Sequence, residues 1–266
     1  MRLPSARIAG KGPRPNYAKL DNPASRRKPL DANLLIQTDQ ALVSIGHQLS
    51  DDPQSLEEAQ DRPDWPKWKE AMDIEMNQLL KAGTWELQNL PPDRKAVSNR
   101  WVYHLKTNND GQIIKYKSRL VARGCSQIPG IDFFDTYAPA LTLDTLRTII
   151  SIATIHDLEL HHLDVKSAYL NGDLTDDIYM AQPSGYEDGT NRVCKLQKAI
   201  YGLKQAGRIW SQLLSKTFLE LGYARSRADS CLYYQIQGSD LILVGVHVDD
   251  ITIAAKATRL IKSRRN

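Results

Sequence analysis

The sequence predicts an α+β domain built around an antiparallel sheet. Runs with helical spacing and apolar-alternating runs are mixed along the chain without a regular βαβ repeat, which argues against a parallel sheet. Two pairs of alternating runs are joined by tight turn signals, one at Asn109, Asp110 and Gly111 and one at Asp249 and Asp250. With 266 residues, 41% hydrophobic and 25% charged, the chain has the length for a full core and an ordinary globular composition.

Residues 1 to 60 are rich in Pro, Ser, Asn, Asp and charge, and are expected to form a mostly disordered basic and polar linker. Order is expected from DWPKWKEAMDIEMNQLLKAG, a helix with Asp64 as cap, Pro66 in the first turn and Gly83 at its end. Trp65, Trp68, Met72, Met76, Leu79 and Leu80 share one face of it. TWELQNL and the hairpin RWVYHLKTNNDGQIIKYKSRLVARG follow as strands. A second helix, TLDTLRTIISIATIHD, is capped by Thr142 and directs Leu143, Leu146, Ile149, Ile150 and Ala153 to the core. LELHHLDVKSAYLNG reads as a strand to residue 165 and then a bend. A helix from about Gln205 to Leu221 turns Trp210, Leu213, Leu214, Phe218 and Leu221 inward and stops at Gly222. CLYYQIQ and LILVGVHV are two more strands leading to the acidic tip.

The formal net charge of +4 conceals an uneven distribution. Residues 31 to 255 carry 22 basic and 30 acidic side chains, so the excess of cations lies at the two ends. Inside this acidic body, residues 94 to 124 hold eight Lys/Arg against one Asp, and residues 192 to 208 hold five against none. Clusters of this kind attract phosphates locally. No apolar run reaches the roughly 18 residues that span a bilayer, and the N-terminus lacks the apolar centre of a signal peptide. An intracellular protein without a membrane partner is expected. Cys125, Cys194 and Cys231 are too widely spaced for a disulfide framework or a zinc site and read as packing residues.

The acidic tip reads either as an ordinary hairpin turn or as half of a metal site. Aspartate is common in hairpin turns, yet Asp249 and Asp250 are adjacent like charges that repel unless a cation sits between them. Asp164, 85 residues earlier in HHLDVKSAYLNG, ends another strand and can share the sheet end. Carboxylates converging there can hold two divalent ions about 3.5 to 4 Å apart, which serves phosphodiester formation or cleavage. His161 and His162 lie on alternate faces and cannot both serve one metal.

The motifs GTWEL, YKSRLVARGCSQIPGIDFFDTYAP, LDVKSAYLNGDL, IYMAQPSGYED, KLQKAIYGLKQAGRIW and VHVDD resemble, in order and spacing, the reverse transcriptase of copia-type LTR retrotransposons. The resemblance covers about residues 65 to 260. It implies an RNA-directed DNA polymerase of right-hand shape, with fingers and an antiparallel palm over 61–260, thumb and RNase H domain missing, and a basic truncated tail at 261–266.

By the same resemblance, Asp164, Asp249 and Asp250 are the catalytic carboxylates for two Mg²⁺ or Mn²⁺ ions. Tyr169 is the wall beneath the sugar that excludes ribonucleotides, and Gln205 contacts the incoming nucleotide. Lys106 and Arg119 lie over its triphosphate, with Lys115, Lys117 and Arg123 on the same hairpin. The implied partners are an RNA template, a DNA primer and deoxynucleoside triphosphates. Two positions depart from the pattern: His247, on the same strand face as Asp249 by alternation, stands where the family usually has Tyr, and Gly207 where it usually has Pro. With the missing thumb, they point to a truncated copy with little activity alone. An inactive transposon remnant with weak nucleic-acid binding and a two-metal nuclease are the alternatives; a nuclease needs neither a gate at Tyr169 nor a nucleotide contact at Gln205.

Overall fold

The computed structural model describes residues 52–238 and 240–256; most of the expected N-terminal linker and the whole of the expected basic tail lie outside the described residues. Regular structure reaches further toward the N-terminus than the composition suggests. Helix α1 (Leu56–Gln60) is capped by Ser55, whose hydroxyl accepts from Glu58 N at 3.1 Å.

Helix α2 (Trp65–Lys81) buries Trp68, Ala71, Met72, Met76 and Leu79, and Gly83 leaves it with φ +62°. Two expectations fail here. Leu80 is 58% exposed, because the apolar stripe is narrower than its spacing allows. Asp64 makes no side-chain cap and instead accepts from Arg62 Nε at 3.0 Å.

Strands β2 (Asn99–Thr107) and β3 (Ile113–Ala122) form the expected hairpin, with Gly111 at φ +78° in its loop. Trp101 and Tyr103 point inward, and Trp68 meets the edges of Tyr103 and Tyr116 at 5.2 and 4.8 Å. A three-stranded sheet lies beside it in the order β1 (Trp85–Gln88), β6 (Val193–Leu196), β5 (Tyr179–Met180). Together with α2 they enclose one apolar core.

The remaining strands form a five-stranded antiparallel sheet in the order β4 (Glu159–Asp164), β10 (Asp250–Ala255), β9 (Asp240–His247), β8 (Leu232–Gln237), β7 (Ala224–Arg225). Successive residues of β9 point to opposite faces. Leu243 joins the core under helix α3 (Leu143–Ile155), and Val244 and Val246 join the one under helix α4 (Ala206–Glu220). Thr142 caps α3 by accepting from Thr145 N at 3.2 Å, as its sequence predicts. Leu143 is nevertheless 60% exposed and Ile150 is also exposed, so only Ile149 and Ala153 of α3 are fully buried. Leu221 likewise sits outside, at the exposed end of α4 beside Gly222. The architecture is mixed α and β with antiparallel sheets, as expected. No helix among the described residues is long and apolar enough to cross a membrane.

Candidate active site

The acidic tip is a two-residue turn between β9 and β10, in which Asp250 pairs with His247 and leaves Val248 and Asp249 as the loop. Val248 has φ +58°, a conformation unfavourable for a β-branched residue. Trp210 of α4 donates its indole N–H to the Val248 carbonyl at 2.7 Å, which helps to hold the turn.

Strand β4 runs antiparallel to β10 with Asp164 directly opposite Asp250, and Val165 N donates to the Asp249 carbonyl at 2.9 Å. The backbone thus brings all three aspartates to one sheet end. Their side chains divide. Asp164 and Asp249 line a cavity of about 380 Å³ together with Lys106, Lys115, Lys117 and Arg119 of the hairpin. Among the described residues neither carboxylate has a hydrogen bond or ion pair with another side chain. Asp250 instead faces a second groove with Leu141, Leu143, His162 and His247, and its Oδ1 lies 3.1 Å from His162 Nε2.

The expected convergence of three carboxylates is therefore only partly met. Among the described residues no group of three or more His, Cys, Asp or Glu side chains is placed to hold a metal ion. The physical reason is that β4 ends at Asp164, where the chain bends away, while Asp250 is held within the ladder beside His162. Asp164 and Asp249 remain a pair of open, hard oxygen donors, a chemistry that fits one divalent cation such as Mg²⁺ or Mn²⁺.

The cationic wall has its own logic. Lys106 stands opposite Lys115 across the ladder, His104 opposite Lys117 and Val102 opposite Arg119. Like charges directly opposite destabilise a sheet unless an anion lies between them. Burial, and then the neighbouring Arg119, Lys106 and Lys115, hold the Lys117 ammonium below its usual range. Glu75 of α2 also lines the cavity; its Oε1 accepts from Leu120 N at 3.4 Å, and burial raises its pKa despite Arg119 and Lys117 nearby.

Three sequence expectations take a different place. Gln205 is 2% exposed in the core, where its amide nitrogen donates to Asp132 O and Asp176 Oδ2, both at 2.8 Å, and its oxygen accepts from Gln127 Nε2 at 3.1 Å. With every group engaged, it does not reach the cavity. Tyr169, on the short 3₁₀ turn Ala168–Asn171, is half-buried and lines an adjoining apolar pocket with Gly207, Trp210 and Val248. Burial, and then the charge of Asp249, raise its pKa. His247 does not share the face of Asp249, because the left-handed Val248 breaks the alternation; its Nδ1 lies 3.3 Å from the Leu141 carbonyl.

Sequence reasoning missed Glu75 and Tyr201. Glu75 sits three residues after Met72 and four before Leu79, so a carboxylate beside the apolar stripe was the available signal. Tyr201 lines the cavity, with the Arg119 guanidinium 4.8 Å above its ring and the Tyr169 ring 4.7 Å away, edge-on.

Comparison with known proteins follows the same lines. The family model described as reverse transcriptase (RNA-dependent DNA polymerase) matches residues 82–266. The chain is 37% identical over 240 residues to the retrovirus-related Pol polyprotein from transposon TNT 1-94 of Nicotiana tabacum, covering 89% of this chain and 17% of that protein. It is 38% identical over 198 residues to the Pol polyprotein from transposon RE1 of Arabidopsis thaliana, covering 73% and 14%. Against the transposon Ty1-ER2 Gag-Pol polyprotein of Saccharomyces cerevisiae it is 30% identical over 200 residues, covering 71% and 11%. The chain spans less than a fifth of the length of these relatives. It belongs to the reverse transcriptase (RNA-dependent DNA polymerase) family, in the region carried by copia-type transposon polyproteins.

Proposed function

We propose that this region is the fingers and palm of an RNA-directed DNA polymerase, joining deoxynucleotides to a DNA primer on an RNA template. The observation that carries the reading is one cavity lined both by Asp164 and Asp249 at the sheet end and by Lys106, Lys115, Lys117 and Arg119 of the hairpin. A triphosphate needs cations along its non-bridging oxygens and a divalent ion at the reacting phosphate, and these two sets of side chains supply the protein's share of both.

In this reading Asp164 and Asp249 hold the divalent cation, which when bound polarises the phosphate and favours the attacking oxygen. A second ion would require Asp250 to leave His162. Arg119 and the hairpin lysines orient the triphosphate and offset its charge, and Tyr169 bounds the sugar end from the adjoining pocket. Gln205 acts as a positioning residue, since its amide ties the segment around Gln127 and Asp132 to the start of α4.

Single-nucleotide extension of a primed RNA template in Mg²⁺ or Mn²⁺ tests the reading. Extension that is lost in Asp249→Asn is expected. Metal-dependent cleavage of the template or primer without nucleotide would favour the two-metal nuclease instead, and extension indifferent to Asp249 would contradict the assignment.

A further inference from the structure

We propose that Tyr201 is a positioning residue for nucleotide selection: its ring sets Arg119 at the triphosphate end of the cavity and Tyr169 at the sugar end. One side chain then couples affinity for the triphosphate to discrimination of the sugar. The proposal rests on the reading of the cavity as a nucleotide site.

Four observations converge on this residue. Tyr201 lines the cavity that holds Asp164 and Asp249. The Arg119 guanidinium lies 4.8 Å over its ring centroid, within the range of cation–π attraction. Tyr169 meets it with ring centroids 4.7 Å apart and planes at 66°, an edge-on contact that fixes both rings. The backbone beneath is tied closely to β3: Ala122 N donates to the Tyr201 carbonyl at 2.8 Å, and Gly202, at φ +90°, passes so close that a Cβ would lie 2.0 Å from the Ala122 carbonyl oxygen.

The consequence is mechanical. Arg119 belongs to the hairpin and Tyr169 to the turn after β4, and neither is braced by a hydrogen bond to the other. Their common support is the Tyr201 ring. If that ring is lost, Arg119 gains freedom over the triphosphate and Tyr169 gains freedom toward the sugar. If only the hydroxyl is lost, both ring contacts survive.

The test is equilibrium binding of dATP and ATP to the full 266-residue chain in Mn²⁺, followed by calorimetry, for the parent, Tyr201→Phe and Tyr201→Leu. The phenylalanine variant is expected within about twofold of the parent for both nucleotides. The leucine variant is expected to weaken dATP about 5- to 10-fold and to move the ratio of dATP to ATP affinity toward one. Should the leucine variant fail to fold, Tyr201→Met, which fills the space with an unbranched, adaptable chain and has no ring, takes its place with the same expectation.

Parental affinity and ratio in the leucine variant would overturn the proposal. So would a weakened affinity with the ratio intact, or a phenylalanine variant as impaired as leucine. A parent chain that binds neither nucleotide contradicts the underlying reading of the cavity instead.

Discussion

Trp210 donates its indole N–H to the carbonyl of Val248 at 2.7 Å, tying α4 to the left-handed residue that carries Asp249 at the tip of the sheet. Trp210→Phe keeps the aromatic packing and removes the bond. It is expected to cost about 1–3 kcal/mol, because the partly buried Val248 carbonyl loses its donor. Urea unfolding measures this; a midpoint equal to the parent's would show that the turn is held by other means.

Gly202 is expected to tolerate no side chain. At φ +90° and with a Cβ 2.0 Å from the Ala122 carbonyl oxygen, Gly202→Ala forces the segment off β3. The expected loss is about 3 kcal/mol or more, combining a disfavoured conformation with overpacking. Gly111→Ala, at φ +78° in the open hairpin loop with nothing within 4 Å, is the control and should cost only about 1 kcal/mol.

Glu75 makes stability depend on pH in the unusual sense. Burial raises its folded pKa above the ordinary value of 4.5, so between the two values the folded state holds more protons than the unfolded one. Stability from this group is present below the unfolded pKa and falls as pH rises through the folded one. Glu75→Gln should therefore be more stable than the parent at pH 7, with the difference shrinking below pH 4.5. Denaturant midpoints at the two pH values decide it, and a variant less stable at pH 7 would show that Arg119 and Lys117 outweigh the burial.

The divided aspartates predict unequal effects on metal binding. Mn²⁺ bound to the chain, followed by electron paramagnetic resonance, should be lost in Asp249→Asn and largely kept in Asp250→Asn, because Asp250 faces the groove of His162. Equal loss in both would show that Asp250 turns into the cavity when the ion binds.

Much of this was legible in the sequence where local chemistry decides the outcome. The hairpin follows from its Asn-Asp-Gly turn, α3 from its Thr142 cap, and the cationic wall from alternation along a ribbon. Lys106, Arg119, Asp164 and Asp249 meet because a motif and a strand register agree. What escaped depends on packing between elements. Nothing local tells that Gln205 is closed off by Asp132, Asp176 and Gln127, or that His162 meets Asp250. The positive φ of Val248 reversed the expected side of His247, since alternation is a rule for strands and fails within a turn. Leu143 and Leu80 have core-like spacing but lie at the rims of their helices' contact faces, where no element among the described residues covers them.

On the proposed function, Arg119, on the hairpin, and Asp249, at the sheet tip, act on one bound nucleotide. A double-mutant cycle measures this: dATP binding in Mn²⁺ for the parent, Arg119→Ala, Asp249→Asn and the double variant. Binding by the parent and a coupling of about 1 kcal/mol or more between the two positions are predicted, since each loss removes a support for the same triphosphate. No binding by the parent, or losses that simply add, would contradict it.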